Sequence, residues 1–538
     1  MIKKLFLLIF ILAVFSFPQD KQNPNVELPD FVITGRDIIS IQNAKKLSPD
    51  LVSTVSKDFL QPVYSPEELG LQDISNPISQ KLNLLDTLNN YNGYIDLGVG
   101  FYSLPKADAV YSIPFTNGIF NSYFNGSNTL NYLDTSNSSR SEWNGGINFS
   151  YFVDNEAPFF GGTKIKLHGN YGVSAYKLYA SNTPKFVRNL NKGDFSFDIN
   201  NLLNRNFIFD AKISSRYTYL PDENFSENLL NVTAYSEAEF SAFSLSADLN
   251  FKNQFLTLNR DQEASRLNNN MDRFFNIIPL AGLNISSLIK VKFGFNYAKT
   301  NNDNFFAPYG SLGMRFNKNL SLFGEINPHA EFVSNGDFLR ENQYNSPSGT
   351  PNVFLKKTFA LNAILKYEYD KYFEIDGGVD YYSAKDLPYY TDKNNAGKFD
   401  VALTKATSYS AFINLLFHAG PYGIFYSNAE LNSTENNNGK IIPYYPQAKA
   451  SLVYGYNFFN NDLNTEASIN FYSKQFADLE NIKKIDPYID MGLKFKYLIF
   501  PNFRLTLELL NLFDYNNYLW NNYKEPPLNI LGGFSYQW

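Results

Sequence analysis

Leu528-Asn529-Ile530-Leu531-Gly532-Gly533-Phe534-Ser535-Tyr536-Gln537-Trp538 closes the chain, and its alternate positions differ in character. Leu528, Ile530, Phe534, Tyr536 and Trp538 are apolar or aromatic, with Gly532 among them. Asn529, Gly533, Ser535 and Gln537 are small or polar, and only Leu531 breaks this second set. Side chains along a strand point to opposite faces in turn, so this is a strand with one oily and one wet side.

The pattern repeats from Asn92 onward. Ile95, Leu97, Val99 and Phe101 alternate with Asp96, Gly98, Gly100 and Tyr102. In the stretch 243–251, Phe243, Leu245, Ala247, Leu249 and Phe251 alternate with Ser244, Ser246, Asp248 and Asn250. Ile289, Val291, Phe293 and Phe295 oppose Lys290, Lys292, Gly294 and Asn296; Ile489, Met491, Leu493 and Phe495 oppose Asp490, Gly492, Lys494 and Lys496. Alternation alone does not separate a soluble sandwich from a membrane barrel. The polar partners do: they are mostly Ser, Asn, Gly, Asp and Lys in a chain only 18% charged, with no linker between repeats. Tyrosines such as Tyr217, Tyr219, Tyr297 and Tyr497 gather at strand ends, as an interfacial girdle requires.

Composition supports the membrane reading. Aromatic residues make up 17% of 538 residues, with 50 Phe and 38 Tyr, more than a soluble core readily absorbs. Mean hydropathy is nevertheless −0.30, and after Phe17 no run of about 18 apolar residues offers a spanning helix. Lipid tolerates only helices and closed barrels, which leaves the barrel. Connections alternate between tight turns, as at Asn317-Lys318-Asn319 and Asp370-Lys371, and long polar segments over 128–142, 256–272, 333–355 and 433–443. Short turns on one rim and long extracellular loops on the other are the habit of outer-membrane barrels. The expected fold is therefore all-β: a transmembrane antiparallel up-and-down β-barrel over 92–538. At roughly 20 residues per strand with its connection it holds about 22 strands (20–22), and an even count puts both termini on the periplasmic side. The stretch 107–124 reads as either one strand or two.

Upstream, Lys3 and Lys4 precede an apolar run ending at Val14, and Ser16 is a small residue suited to cleavage. Residues 1–16 thus read as a secretory signal peptide. Residues 17–91, rich in proline and poor in alternation, read as a short irregular N-terminal extension, periplasmic or lumenal. Cysteine is absent, so disulfides, thiolate metal sites and cysteine nucleophiles are excluded. Net charge is −6 with no basic cluster, which gives no reason to expect nucleic acid.

The final strand, ending on an aromatic, resembles the C-terminal signal read by the barrel-assembly machinery of Gram-negative-type bacteria; Phe534, Tyr536 and Trp538 would carry it. The run Leu505-Thr506-Leu507-Glu508-Leu509-Leu510-Asn511-Leu512-Phe513-Asp514-Tyr515, a Tyr-rich loop, Pro526-Pro527 and the closing strand resemble the C-terminal end of TonB-dependent receptors. Leu28-Pro29-Asp30-Phe31-Val32-Ile33-Thr34-Gly35 is similar to the segment with which those receptors donate a strand to a TonB-type energy-coupling protein. The resemblance implies about 22 strands around a globular plug, uptake of a solute, and an outer-membrane location. It departs in one respect: only residues 36–91 lie between the coupling-like segment and the first barrel strand, too few for such a plug. A passive pore or a structural outer-membrane protein without energy coupling is the alternative. A lipoprotein or periplasmic binding protein is a further candidate partner, outer-membrane lipid the certain one if the barrel forms, and a secreted soluble β-protein the remaining reading.

No catalytic, cofactor or metal site stands out. His168, His329 and His418 have no ligand-like spacing, and no nucleophile–base pair is singled out. The chain does not read as an enzyme. Charges on the wet face, Lys290, Lys292, Asp490, Lys494, Lys496, Arg504 and Glu508, are expected to line the lumen. They either pair across strands or select a charged solute.

Overall fold

The structure, a computed structural model, describes residues 92–538 apart from 135, 156–159, 202–206, 241, 259–271, 370–372, 393–396 and 419–422. The leader 1–16 and the extension 17–91, with its segment 28–35, lie outside the described residues.

Successive strands pair antiparallel with their neighbours in sequence, and the sheet closes on itself as a 22-strand barrel. The first strand, Gly93–Gly100, pairs on one side with Ser103–Phe115 and on the other with the last, Asn529–Gln537, in a register that sets Tyr94 against Gln537. The stretch 107–124 belongs to two strands, Ser103–Phe115 and Gly118–Thr129, joined by a tight turn at 116–117. One wall position is shared by two segments, Leu320–Ile326 and His329–Val333, both paired with Val353–Tyr369. Asn327 and Pro328 interrupt it, because proline has no N–H to give the ladder.

Burial runs opposite to that of a soluble protein. Phe243 and Leu245 are 46% and 53% exposed, whereas Ser244 and Ser246 between them are 1% and 7% exposed. The same holds at Phe293, Phe295, Leu505, Leu507, Phe534 and Tyr536, all exposed. An apolar belt turned outward around the whole wall is stable only against hydrocarbon, so the barrel belongs in an outer membrane. The belt has aromatic edges. Phe373 lies beside Phe417, and Phe417 beside Phe425, at one level; Tyr381 lies beside Tyr409 eight positions further along. At about 3.3 Å per residue and a tilt near 40° the two levels are roughly 20 Å apart, close to the height of an outer-membrane apolar band.

Ile413, 48% exposed, sits midway between Phe417 and Tyr409 on its strand. Ile413→Arg is expected to destabilise the barrel by about 2–4 kcal/mol, the cost of arginine at the bilayer midplane, and Ile413→Phe by little. Denaturant unfolding in lipid vesicles measures both. Equal stability of the two variants would mean that this face does not meet lipid.

Asn92 and Trp538 lie at one rim, where 287–288 and 501–502 are two-residue turns. The opposite, extracellular rim carries 334–352, 437–447, 473–487 and 511–528. The strands also reach unequally far. Those at the seam have 8 and 9 residues, whereas Phe373–Thr391 and Asp400–His418 have 19 each and project beyond the upper aromatic level.

Candidate functional site: a capped mouth over a charged lumen

The inner face is polar, and most of its charges meet opposite charges across strands. Lys290 Nζ lies 3.2 Å from Glu237 and 3.5 Å from Glu239, and Lys292 Nζ 3.0 Å from Glu237. Near the seam Glu508 receives both Lys494, at 3.3 Å, and Lys106; Lys496 lies 3.1 Å from Asp96. Asp490 accepts a hydrogen bond from the Asn511 backbone N–H at 3.1 Å, and Arg504 is buried opposite Ser535. The structure thus splits the seven expected charges into a pair beside Glu237 and a larger group at the seam. His168 Nδ1 meets Asn148 Oδ1 at 2.5 Å, and His329 Nε2 meets Glu331 at 2.8 Å. Among the described residues no group of three or more His, Cys, Asp or Glu could hold a metal ion, and no helix is long and apolar enough to cross a membrane.

The larger construction stands above the lumen, where the long loops turn inward. The segment 334–352 begins with the short helix Asn335–Glu341, whose capping box is made by Ser334 and Asp337. The helix start is tied to the wall by Glu227, which accepts from Ser334 Oγ (2.7 Å), the Gly336 N–H (2.8 Å) and Gln254 Nε2 (2.6 Å). A Cβ at Gly336 would come within 2.3 Å of Glu227 Oε1, so a larger residue there would displace this carboxylate. Arg340 donates to Asp194 (2.7 Å), Thr218 (2.8 Å) and the Tyr217 carbonyl (2.6 Å), and Arg216 pairs with Asp337 at 2.7 Å.

Beyond the helix the segment crosses to other loops. Arg188, fully buried, donates to the Gln343 carbonyl (2.7 Å), the Asn345 carbonyl (2.8 Å) and Glu223 (2.6 Å); Lys398, from a different connection, reaches Glu223 at 3.0 Å. Burial works to raise the Glu223 carboxyl, but the charges of Arg188 and Lys398 outweigh it and hold its pKa below the ordinary value. Glu341, with Tyr390 donating to it at 3.0 Å, is instead raised by burial. The Tyr344 and Tyr523 rings stack with centroids 3.5 Å apart, and Tyr523 donates to the Gly397 carbonyl at 2.6 Å. Tyr132 and Tyr179 both donate to the Lys524 carbonyl, at 2.7 and 2.9 Å. Phe399, Tyr444, Trp520 and Tyr390 complete one apolar core that draws residues from opposite walls. The mouth is bridged from wall to wall by a packed cap. Sequence reading had no access to it, although aromatic residues inside polar loops, Tyr344, Tyr444, Trp520 and Tyr523, were a signal.

At the opposite rim Phe534 and Tyr536 face outward, with Phe534 stacked on Phe503 at 5.7 Å and Trp538 on Tyr536 at 6.0 Å. They form part of the periplasmic aromatic edge.

A closed 22-strand barrel with an apolar outer face, short turns on one rim and long loops on the other defines a large outer-membrane β-barrel protein. Its barrel has the fold of TonB-dependent receptors. The FrpB iron transporter from Neisseria meningitidis superposes with a TM-score of 0.60 at 10% identity, covering 84% of this chain and 82% of that one. The ferric enterobactin receptor PfeA from Pseudomonas aeruginosa gives 0.58 at 12%, covering 83% and 81%. The siderophore receptor PirA from Acinetobacter baumannii gives 0.58 at 10%, covering 84% and 81%. No protein-family model and no curated protein sequence matches the chain.

Proposed function

We propose that this chain is a gated outer-membrane transporter of the TonB-dependent kind, which admits a solute from outside when the loop cap opens. The observation that carries the reading is the cap itself: a barrel this wide encloses a channel, and here loops from opposite walls share one core across its mouth. The structural neighbours named as an iron transporter and a siderophore receptor support transport as the class. No residue is given a catalytic role. Phe534, Tyr536 and Trp538 would serve the assembly machinery, and a lipoprotein or periplasmic binding protein would hand over or receive the solute.

Energy coupling would enter through Leu28-Pro29-Asp30-Phe31-Val32-Ile33-Thr34-Gly35, by strand addition to the coupling protein. An immobilised peptide of residues 28–35 is expected to retain the C-terminal domain of a TonB-type protein, and Val32→Pro, which removes a ladder donor, to release it. No retention would eliminate the coupled reading and leave passive passage. The brevity of residues 36–91, too few for a globular plug, is what favours that second reading.

A further inference from the structure

Above Gly310 one strand of the wall has a partner on one side only. Leu320–Ile326 pairs with Asn304–Arg315 from Arg315 as far as Gly310, which leaves 304–309 bound to Ile289–Thr300 alone among the described residues. The strand that follows in sequence, His329–Val333, does not fill the place. By parity with Ile326, 45% exposed on the outer wall, Ala330 and Phe332 belong outside, yet they are 5% and 1% exposed. They pack with Leu229, Phe274 and Ala298 in one buried cluster, and the Phe332 and Phe274 ring centroids lie 6.3 Å apart. Lys252 Nζ donates to the Phe332 carbonyl at 3.0 Å. A side chain in the plane of the wall could not reach Leu229, which stands five strands away at about 4.8 Å per strand. His329–Val333 leans across the lumen and leaves its own place in the wall empty.

The leaning part has joints. Asn327-Pro328 interrupts one strand, and the register shift between Lys357 and Phe359 sets Thr358 as a bulge in the other, at the same height. Prolines and bulges are where a ladder bends. A cavity of about 120 Å³, lined by Glu325, Asn327, His329, Lys357 and Asp380 among others, gives the joints room. Above them His329–Val333 stays paired with 353–357, and Ser334, the N-cap of the helix Asn335–Glu341, follows directly. Residues 329–357 thus form one arm, and its far end is the part of the cap fixed through Glu227 and Arg340.

The vacant edge fits this arm. Continuing the register that sets Gly310 against Ile326 would bring His329 opposite Ala307, Ala330 opposite Phe306 and Phe332 opposite Asn304, with Ala330 and Phe332 on the outer face. We propose that residues 329–357 are a hinged arm that carries the cap. It lies across the lumen in the closed barrel and zips into the wall along 304–307 in the open one. The arm is the moving part of the gate proposed above and depends on that reading.

The chain has no cysteine, so an introduced pair reports on itself alone. Phe306→Cys/Ala330→Cys sets two thiols opposite each other only in the open arrangement, since Phe306 is now 67% exposed outside and Ala330 is buried within. The full-length protein in lipid vesicles is treated with an oxidant, and mass spectrometry of unreduced peptides reads the disulfide. Cross-linking is expected to be slow under the wild-type cap and at least about tenfold faster when Arg188→Ala and Tyr523→Ala are added, because the open population rises. The disulfide should then hold the pore conducting in a planar bilayer until reductant is added. Phe274→Cys/Phe332→Cys, bridged by a short bifunctional thiol reagent, should instead pin the arm and silence the Arg188→Ala/Tyr523→Ala barrel. Heat-modifiable migration establishes that each variant is folded. If Arg188→Ala/Tyr523→Ala conducts while the 306–330 disulfide does not form, the arm is overturned and the cap remains the gate. A disulfide that forms in a barrel that stays silent overturns the arm equally. A silent Arg188→Ala/Tyr523→Ala barrel would remove the gate, and the arm with it.

Discussion

Arg188→Ala combined with Tyr523→Ala is expected to convert a quiet barrel into a steadily conducting one in a planar bilayer. Arg188 is the buried centre of the cap: it satisfies the Gln343 and Asn345 carbonyls and meets Glu223. Its loss strands two buried acceptors and leaves Glu223 with Lys398 alone, which by the usual cost of breaking a buried pair weakens the cap by about 3–5 kcal/mol. Tyr523→Ala removes the ring stacked on Tyr344 and the hydrogen bond to Gly397. At about 1.4 kcal/mol per factor of ten, the Arg188 change alone raises the opened population at least a hundredfold. Acid gives a second route. A carboxylate whose pKa is held low in the folded state stabilises above its ordinary pKa of about 4.3, and that contribution fades as pH falls below it. Glu223 should therefore loosen the wild-type cap at acid pH and not at neutral pH. If the double variant, still heat-modifiable and therefore closed as a barrel, stays silent, the lumen is blocked beneath the cap and the cap is not the gate.

Gly533→Val should prevent the barrel from closing. Gly533 faces inward at the seam, and a Cβ there would lie 2.2 Å from the Leu97 carbonyl oxygen, 2.9 Å from Gly98 Cα and 2.8 Å from Thr506 Oγ1. Two of these are backbone atoms of the pairing strand, so relief requires the strands to part. The seam has few pairs to lose, since its strands have only 8 and 9 residues. The neighbouring Gly532→Ala is the control, because a Cβ there meets nothing within 4 Å. Semi-native electrophoresis with and without boiling reads the outcome: Gly532→Ala keeps the heat-modifiable species and Gly533→Val lacks it. A folded Gly533→Val barrel would show that the seam does not need so close an approach.

The wall was legible because its period is local. Phe243 and Ser244 announce opposite faces through adjacency alone, and the structure places Phe243, Leu245, Phe293 and Phe534 outward as the alternation implies. Alternation left 107–124 open between one strand and two, and the structure divides it at the two-residue turn Thr116-Asn117. The cap had no such local signature. Arg188 and Glu223 are 35 positions apart, and Arg188 and Gln343 are 155 apart. No spacing rule links them, since only the closed barrel brings those rims together.

The pairing of Tyr94 with Gln537 dictates an order of events. The two edges that join are the first and last strands of the wall, so the ring cannot close before both exist. Until then the nascent ribbon carries two open edges, each able to recruit foreign strands. Contacts of such long range are also slow to form unaided. The wall therefore becomes a ring only when its first and last strands meet.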